Sequence, residues 1–317
     1  MPKLNLICPY CQAILELGKK SYYCKRCSRE YLVYTVDGLD IIDFNSLDGQ
    51  NCLCNRDGIT ICSIDLKKQL LRNLPARKQK AEGKLASREH LIRIEVGQGN
   101  KVLDLGCGEG RNSLLFTEEN EVYGLDICPK RMLLNEENAF DKSYRTLIVS
   151  NAISLPFPEA SFDIVVCTEL IEHVAETRQL VVELKRVLKE GGKLILSTPN
   201  LVSLGNRLGM MLGKGLKLSP FGFLKGEGFY PLPPWREGNI TEKECSFGSI
   251  RYPEQPLHVR FFTFESLRKF LRQSGFEVET EIGIGLPLPR FAPLFSRLFK
   301  NWADGILVVA KKWQHEP

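Results

Sequence analysis

The sequence predicts an α/β protein, a doubly wound and mainly parallel sheet preceded by a small metal-binding β domain. Three observations carry that prediction. From Lys101 onward, strand-like runs alternate with helical patterns, the order expected when helices cover both faces of a parallel sheet. The first of those strands ends in a glycine-rich turn, Leu105-Gly106-Cys107-Gly108-Glu109-Gly110. Before the sheet begins, four cysteines fall in two CxxC pairs, Cys8-Pro9-Tyr10-Cys11 and Cys24-Lys25-Arg26-Cys27.

Each CxxC pair suits a tight knuckle that aims two thiolates at one centre, and two knuckles complete a tetrahedral zinc site. Cys8, Cys11, Cys24 and Cys27 are therefore the candidate metal ligands, with free structural thiols as the alternative. Residues 1–45 are too few to bury a sufficient core alone, so the metal is expected to supply folding energy. Gln12 to Tyr23, between the pairs, suits a short hairpin. Of the 11 cysteines, Cys52, Cys54 and Cys62 form no second four-ligand set and read as ordinary thiols. Clustered pairs of this kind point to metal rather than a secreted disulfide framework.

Residues 46–98 read as a connector followed by a basic helical stretch, Leu66–Val96, restarted at Pro75. Nine basic residues against three acidic ones stand between Leu66 and Glu95. The whole chain carries 43 Lys and Arg against 38 Asp and Glu, a formal charge of +5 over 317 residues. That balance is too mild to argue for nucleic acid by itself. Hydrophobic residues make up 43% and charged residues 26%, which excludes wholesale disorder. No uncharged run approaches the ~20 apolar residues of a membrane span, and no h-region precedes Cys8. A soluble, intracellular, cytoplasmic protein is expected.

Residues 99–317 form the main domain. Its expected strands are Lys101–Leu105, Glu121–Leu125, Arg145–Ser150, Phe162–Cys167, Lys193–Ser197, Phe276–Ile284 and Ile306–Ala310. A helix is expected over Glu176–Lys189, stopped by Gly191-Gly192. Glycines at a strand-to-helix turn let the backbone approach a ligand and present a helix N-terminus. The spacing is GxGxG with Arg111 next, not the GxGxxG of a dinucleotide fingerprint. Asp104, two residues before the first glycine, suits a cationic ammonium better than a pyrophosphate. Asp126 ends the second strand about twenty residues on, where a carboxylate accepts both hydroxyls of a ribose.

Five ordered blocks resemble the class I S-adenosylmethionine-dependent methyltransferases: Asp104–Gly110; Gly124-Leu125-Asp126; Asn151–Phe157 with Ser161-Phe162-Asp163; Glu169–Val174 with Leu184–Gly192; and Leu257–Leu267, ending at Ser274-Gly275-Phe276. The core looks like the quinone-biosynthesis O-methyltransferases, and the N-terminal segment like the small zinc-binding domains that accompany many methyltransferases, fused or as activator subunits. The resemblance implies a Rossmann-like, seven-stranded sheet and S-adenosylmethionine as cosubstrate. It implies Gly106, Gly108 and Gly110 around the methionyl part, with Asp104 near its amino group and Asp126 on the ribose. Asn151 and Ala152 would lie beside the adenine, Asn151 standing where the family usually has Asp, and Thr168 near the transferred methyl. Cys107 reads as a small residue in a tight loop.

Glu169-x-x-Glu172-His173 is the candidate reaction centre. On a helix, positions i, i+3 and i+4 share one face. The segment resembles the Glu-x-x-Glu-His of quinone O-methyltransferases and some RNA 2′-O-methyltransferases, where it binds a divalent cation. Three readings stay open: Mg2+ at Glu169, Glu172 and His173, with His258 as a fourth ligand; His173 as a base; or a helix-capping role. Two apolar, acid-free segments, Leu201–Lys225 and Leu286–Trp302, suit an active-site lid, with residues 201–256 as an insertion, or peripheral contact with an anionic membrane. The expected acceptor is a small molecule or a lipid- or glycan-linked intermediate, methylated on oxygen. The runner-up is ribosomal RNA or tRNA, held by the zinc domain and the basic helix. A third reading is a non-catalytic binder of the adenosyl ligand, against which the intact Asp104, glycines and Asp126 argue.

Overall fold

A computed structural model describes residues 5–36, 39–44, 88–108, 110, 116, 118–127, 132, 144–211, 258–285 and 299–313. Among the described residues, eleven strands form one sheet. β1 (Glu16–Leu17), β2 (Ser21–Cys24), β3 (Arg29–Val36) and β4 (Leu39–Asp43) come from the N-terminal segment. Then follow β5 (Lys101–Leu105), β6 (Glu121–Asp126), β7 (Thr146–Val149), β8 (Phe162–Thr168), β9 (Leu188–Pro199), β10 (Phe276–Ile284) and β11 (Gly305–Lys312). The spatial order is β1-β2-β3-β4-β7-β6-β5-β8-β9-β11-β10.

The seven expected strands make up β5 to β11. β5 pairs in parallel with β6 and β8, β6 with β7, and β8 with β9, while β11 runs antiparallel between β9 and β10. The central strands β5 to β8 are buried along nearly their whole length, as expected of parallel strands covered on both faces. Leu103, Val165, Val166 and Leu194 are fully buried, each contributing about 1.5–3 kcal/mol relative to exposure.

Four helices are described: α1 (Arg88–Val96), α2 (Thr177–Val187), α3 (Leu204–Met211) and α4 (Phe264–Gln273). α2 buries Leu180, Val181, Leu184 and Val187 on one stripe, the spacing of an amphipathic helix. α4 starts where the Thr263 side chain caps the Ser266 N–H and Ser266 returns the bond, which ends the preceding extended chain sharply.

The expected end of the long helix is corrected. α2 stops at Val187, short of Lys189, and Gly191-Gly192 lie inside β9 rather than ending the helix. Leu188 is drawn into pairing with Phe162, after which the register shifts so that Lys193 faces Ile164. Of the basic stretch Leu66–Val96, only Arg88–Val96 lies among the described residues, and there it is helical. Residues 45–87 and 212–257 lie outside them, and with them Cys52, Cys54, Cys62 and most of the expected lid.

The N-terminal segment does not stand apart from the sheet. β4 pairs in parallel with β7, Ile41 opposite Leu147 and Asp43 opposite Val149. Leu6, Cys8, Leu15, Tyr22, Tyr31 and Phe44 share one buried cluster with Leu103, Leu125, Ile148, Leu155 and Phe157. A short chain that lacks a core of its own buries its apolar side chains against the main domain.

Candidate functional site

The parallel strands end at one edge, where open α/β sheets bind ligands. β5 leads into the glycine turn there. Gly106, Gly108 and Gly110 have φ of +75, +51 and +77°, a region that penalises side chains with a Cβ. A Cβ on Gly106 would also stand 3.2 Å from Leu170 Cδ2. The turn is therefore built of backbone, and its Gly106 and Cys107 N–H groups both donate to Leu125 O, at 2.7 and 3.1 Å. Gly108 donates its N–H to Asp126 Oδ2 at 2.9 Å, so the end of β6 holds the turn in shape.

Asp104 is buried, and its Oδ2 accepts from the Tyr144 hydroxyl at 2.8 Å. Tyr144, which sequence reasoning missed, orients this carboxylate. Cys107 is buried and its backbone N–H is bonded to Leu125 O at 3.1 Å, in keeping with a small residue packed in a tight turn.

After β7, the loop from Asn151 to Pro156 crosses the same edge. Asn151 is exposed and its Oδ1 accepts from the Ile153 N–H at 3.2 Å, leaving a second lone pair on that oxygen. Ala152 is buried beside it. Thr168, the last residue of β8, is buried at the edge.

The expected helical face at Glu169, Glu172 and His173 is not formed. Only Ile171–His173 is helical, as a single 3-10 turn, and Glu169 precedes it at φ +50°. That backbone turns Glu169 toward β9, where its Oε1 accepts from Ser197 Oγ at 2.9 Å and lies 3.3 Å from Arg88 Nη1. Arg88, read from sequence only as part of a basic stretch, thus reaches this edge from α1.

Glu172 points inward instead and is 1% exposed. Its Oε2 accepts from Thr198 Oγ1 at 3.0 Å, while its Oε1 has no hydrogen-bond partner and lies 3.9 Å from His173 Nε2. Burial, with the Glu169 charge nearby, pushes the Glu172 carboxyl up to about 8. His258 completes the group. Its ring centroid is 4.6 Å from that of His173, and its Nδ1 is buried without a hydrogen-bond partner. Burial and the neighbouring His173 bring His258 down to about 4.

The chain after His258 is fastened to the turn, Val259 N and Arg260 N both donating to Glu172 O at 2.8 and 3.1 Å. Ligand atoms of Glu172, His173 and His258 all lie within 4.8 Å of one another. The structure therefore groups Glu172 and His173 with His258, named from sequence as a fourth ligand, and sends Glu169 elsewhere.

The four cysteines converge as their spacing predicts. Their Sγ atoms all lie within 4.8 Å of one another, with Cys8 to Cys27 at 3.5 Å and Cys11 to Cys24 at 3.4 Å. Gln12 and Ser28, each just after a CxxC pair, sit at φ +60 and +57°, turning both knuckles inward. Burial pushes the Cys8 thiol up, but hydrogen bonds from Tyr31 and from the Tyr10 and Cys11 N–H groups outweigh it and take it to about 7. Four convergent thiols, one already drawn toward thiolate, fit a tetrahedral zinc ion. Among the described residues, no helix is long and apolar enough to cross a membrane.

Residues 103–196 match the family described as "Methyltransferase domain". An uncharacterized protein of Methanocaldococcus jannaschii is 28% identical over 225 residues, 70% of this chain and 80% of its own length. A demethylmenaquinone methyltransferase of Anoxybacillus flavithermus is 32% identical over 34% of this chain, and a ubiquinone biosynthesis O-methyltransferase of Idiomarina loihiensis 34% identical over 32%. The chain spans 48% and 43% of the length of those two enzymes. Glycine turn, strand order and family match agree: residues 103–196 form a methyltransferase domain of the class I, S-adenosylmethionine-dependent kind.

Proposed function

We propose that the protein transfers the methyl group of S-adenosylmethionine to an oxygen of a small-molecule, lipid-linked or glycan-linked acceptor. The observation that carries this reading is the Glu172, His173 and His258 group at the end of β8, on the same sheet edge as the glycine turn. In this reading Gly106, Gly108 and Gly110 receive the methionyl part, Asp104 its ammonium, Asp126 the ribose, and Asn151 with Ala152 the adenine. Thr168 lies beside the methyl group.

The sulfonium is already a good leaving group, so alignment of the acceptor supplies much of the barrier lowering, up to ~7–11 kcal/mol in ideal cases. The acceptor oxygen forms its bond to the methyl carbon as the carbon–sulfur bond breaks, and S-adenosylhomocysteine leaves. The hydroxyl proton goes to His173, which Glu172 and His258 hold in place. The two enzymes matched above are a demethylmenaquinone methyltransferase and a ubiquinone biosynthesis O-methyltransferase by name, which supports a small-molecule or lipid-linked acceptor over RNA.

A second reading is favoured by the two buried polar atoms without partners, Glu172 Oε1 and His258 Nδ1. Glu172, His173 and His258 would hold a divalent cation, which would lower the pKa of the acceptor hydroxyl. Zinc at Cys8, Cys11, Cys24 and Cys27 is structural in either reading. The exposed Leu208, Met210, Met211 and Trp302 support an apolar approach to the site, as a lid surface or a membrane contact.

The test is labelled methyl donor offered with fractionated cell extract. Uptake into the lipid or small-molecule fraction, with none into RNA, supports the oxygen reading. Label confined to nuclease-sensitive material replaces it with RNA methylation. Turnover that needs added Mg2+ in protein shown by metal analysis to have kept its zinc selects the second reading.

A further inference from the structure

The first CxxC knuckle and the loop proposed to face the adenine touch directly. Ser154 Oγ donates to Pro9 O at 2.7 Å, and Ile7 N donates to Pro156 O at 3.1 Å. Pro9 lies between Cys8 and Cys11, and Ile7 adjoins Cys8. These bonds fasten the loop that starts at Asn151 and Ala152 to the backbone of the first CxxC pair.

The other side of the loop is held by the main domain. Leu155 N donates to Glu183 Oε2 at 2.6 Å, and Arg186 donates to the carbonyls of Phe157 and Leu155 at 2.6 and 3.0 Å. α2 thus fastens residues 155–157, while the knuckle adds the bonds at Ser154 and Pro156. Cys11, Ala13, Cys27 and Ile153 pack against the one cluster that contains Cys8, Cys24, Ala152 and Leu155. Next to it, Phe44 N donates to Val149 O at 2.9 Å, carrying the N-terminal segment to the end of β7.

We propose that the first CxxC knuckle is a positioning element for the cofactor loop, so that metal occupancy of the four cysteines and affinity for the adenosyl cofactor are linked. The inference rests on the zinc and cofactor readings above and adds a coupling that neither contains. Without the ion, the two knuckles meet through thiol contacts such as Cys8–Cys27 at 3.5 Å and Cys11–Cys24 at 3.4 Å, which are weaker than metal–thiolate bonds. Pro9 O and Ile7 N then lose their fixed positions, and the loop is restrained by α2 alone. Linkage makes the effect reciprocal: whatever factor zinc contributes to cofactor affinity, the cofactor contributes to zinc affinity.

The experiment uses the full chain. Binding of S-adenosylhomocysteine is measured by calorimetry on zinc-loaded, chelator-stripped and zinc-reloaded protein, with zinc content measured alongside. Stripping should raise Kd by at least about fivefold, the lower end of ordinary coupling between sites, and reloading should restore it. Saturating S-adenosylhomocysteine should raise by the same factor the chelator concentration that removes half the zinc.

Because the stripped chain is liable to unfold, Ser154→Ala carries the same test with the metal in place. It should retain zinc and raise Kd about two- to tenfold, and Ser154→Thr, which keeps the hydroxyl, should restore affinity. A folded, zinc-free chain with unchanged Kd overturns the coupling alone, as does a Ser154→Ala protein equal to wild type. A chain that holds zinc yet binds no adenosyl compound overturns the cofactor reading and the coupling with it. A chain that never retains zinc overturns the metal reading and the coupling with it.

Discussion

Asp126 Oδ2 accepts the backbone N–H of Gly108 at 2.9 Å, so the carboxylate at the end of β6 is tied to the glycine turn at the end of β5. One oxygen shapes the turn, and the proposed ribose contacts would fall to the remaining acceptor capacity of the group. Asp126→Ala should therefore weaken S-adenosylmethionine binding by about 2–4 kcal/mol, losing charged hydrogen bonds and loosening the turn. Asp126→Asn should lose less. Calorimetry checks both, and unchanged affinity in Asp126→Ala would remove the ribose assignment.

Zinc should be present at close to one ion per chain. Cys8→Ser with Cys11→Ser should abolish it. Because the N-terminal cluster is continuous with the main core, the loss should also lower the melting temperature of the main domain. Metal analysis and a thermal melt on the same sample decide this. A main-domain transition unchanged by zinc loss would show that the shared cluster contributes little.

His173→Ala should lower turnover by about 10²–10⁴-fold, the usual contribution of a general acid–base group. Its affinity for S-adenosylmethionine should hardly change, since the glycine turn and Asp126 lie on other strands. Single-turnover kinetics with the acceptor found by extract labelling, together with calorimetry, separate the two effects. Full activity in His173→Ala would move the reaction centre elsewhere.

Glu281 supplies a pH test away from the site. Burial raises its pKa, but the bonds from Arg268 at 2.8 and 3.0 Å and from Lys300 at 2.5 Å outweigh that and hold the carboxyl below its usual 4.5. A depressed carboxylate contributes stability above its unfolded pKa and loses it as pH falls through the folded one. Glu281→Gln should cost about 1–3 kcal/mol at neutral pH, and below about pH 4.5 its stability should converge on wild type. Denaturant melts at pH 7 and in acid measure the gap, and a gap that persisted in acid would contradict the ion-pair account.

Much of this molecule was determined by its sequence. The strands Lys101–Leu105 and Phe276–Ile284 coincide with the expected bounds; in the second, Phe276, Val278, Thr280, Ile282 and Ile284 alternate with Glu277, Glu279, Glu281 and Gly283, the period-2 pattern of a strand with one polar face. The cysteine centre was legible for a similar reason: CxxC spacing brings each pair of thiols together locally, and the hairpin between the pairs is short. The glycine turn was legible because only glycine occupies three positive-φ positions so close together without strain.

Tertiary structure decided what depends on contacts between distant segments. No local signal could show that Leu188 leaves its helix to pair with Phe162, since strand pairing is made by a neighbour 26 residues away. Periodicity set Glu169, Glu172 and His173 on one helical face, but Arg88 and Ser197 draw Glu169 out of it. His258 takes its place because Val259 and Arg260 donate to the Glu172 carbonyl. The spacing of Cys8 and Cys11 announces a metal centre, but that Pro9 between them meets Ser154 follows from β4 joining β7. Patterns of period 2 or 3.6 report a residue's local face, whereas the partner across that face is chosen only when the whole chain packs.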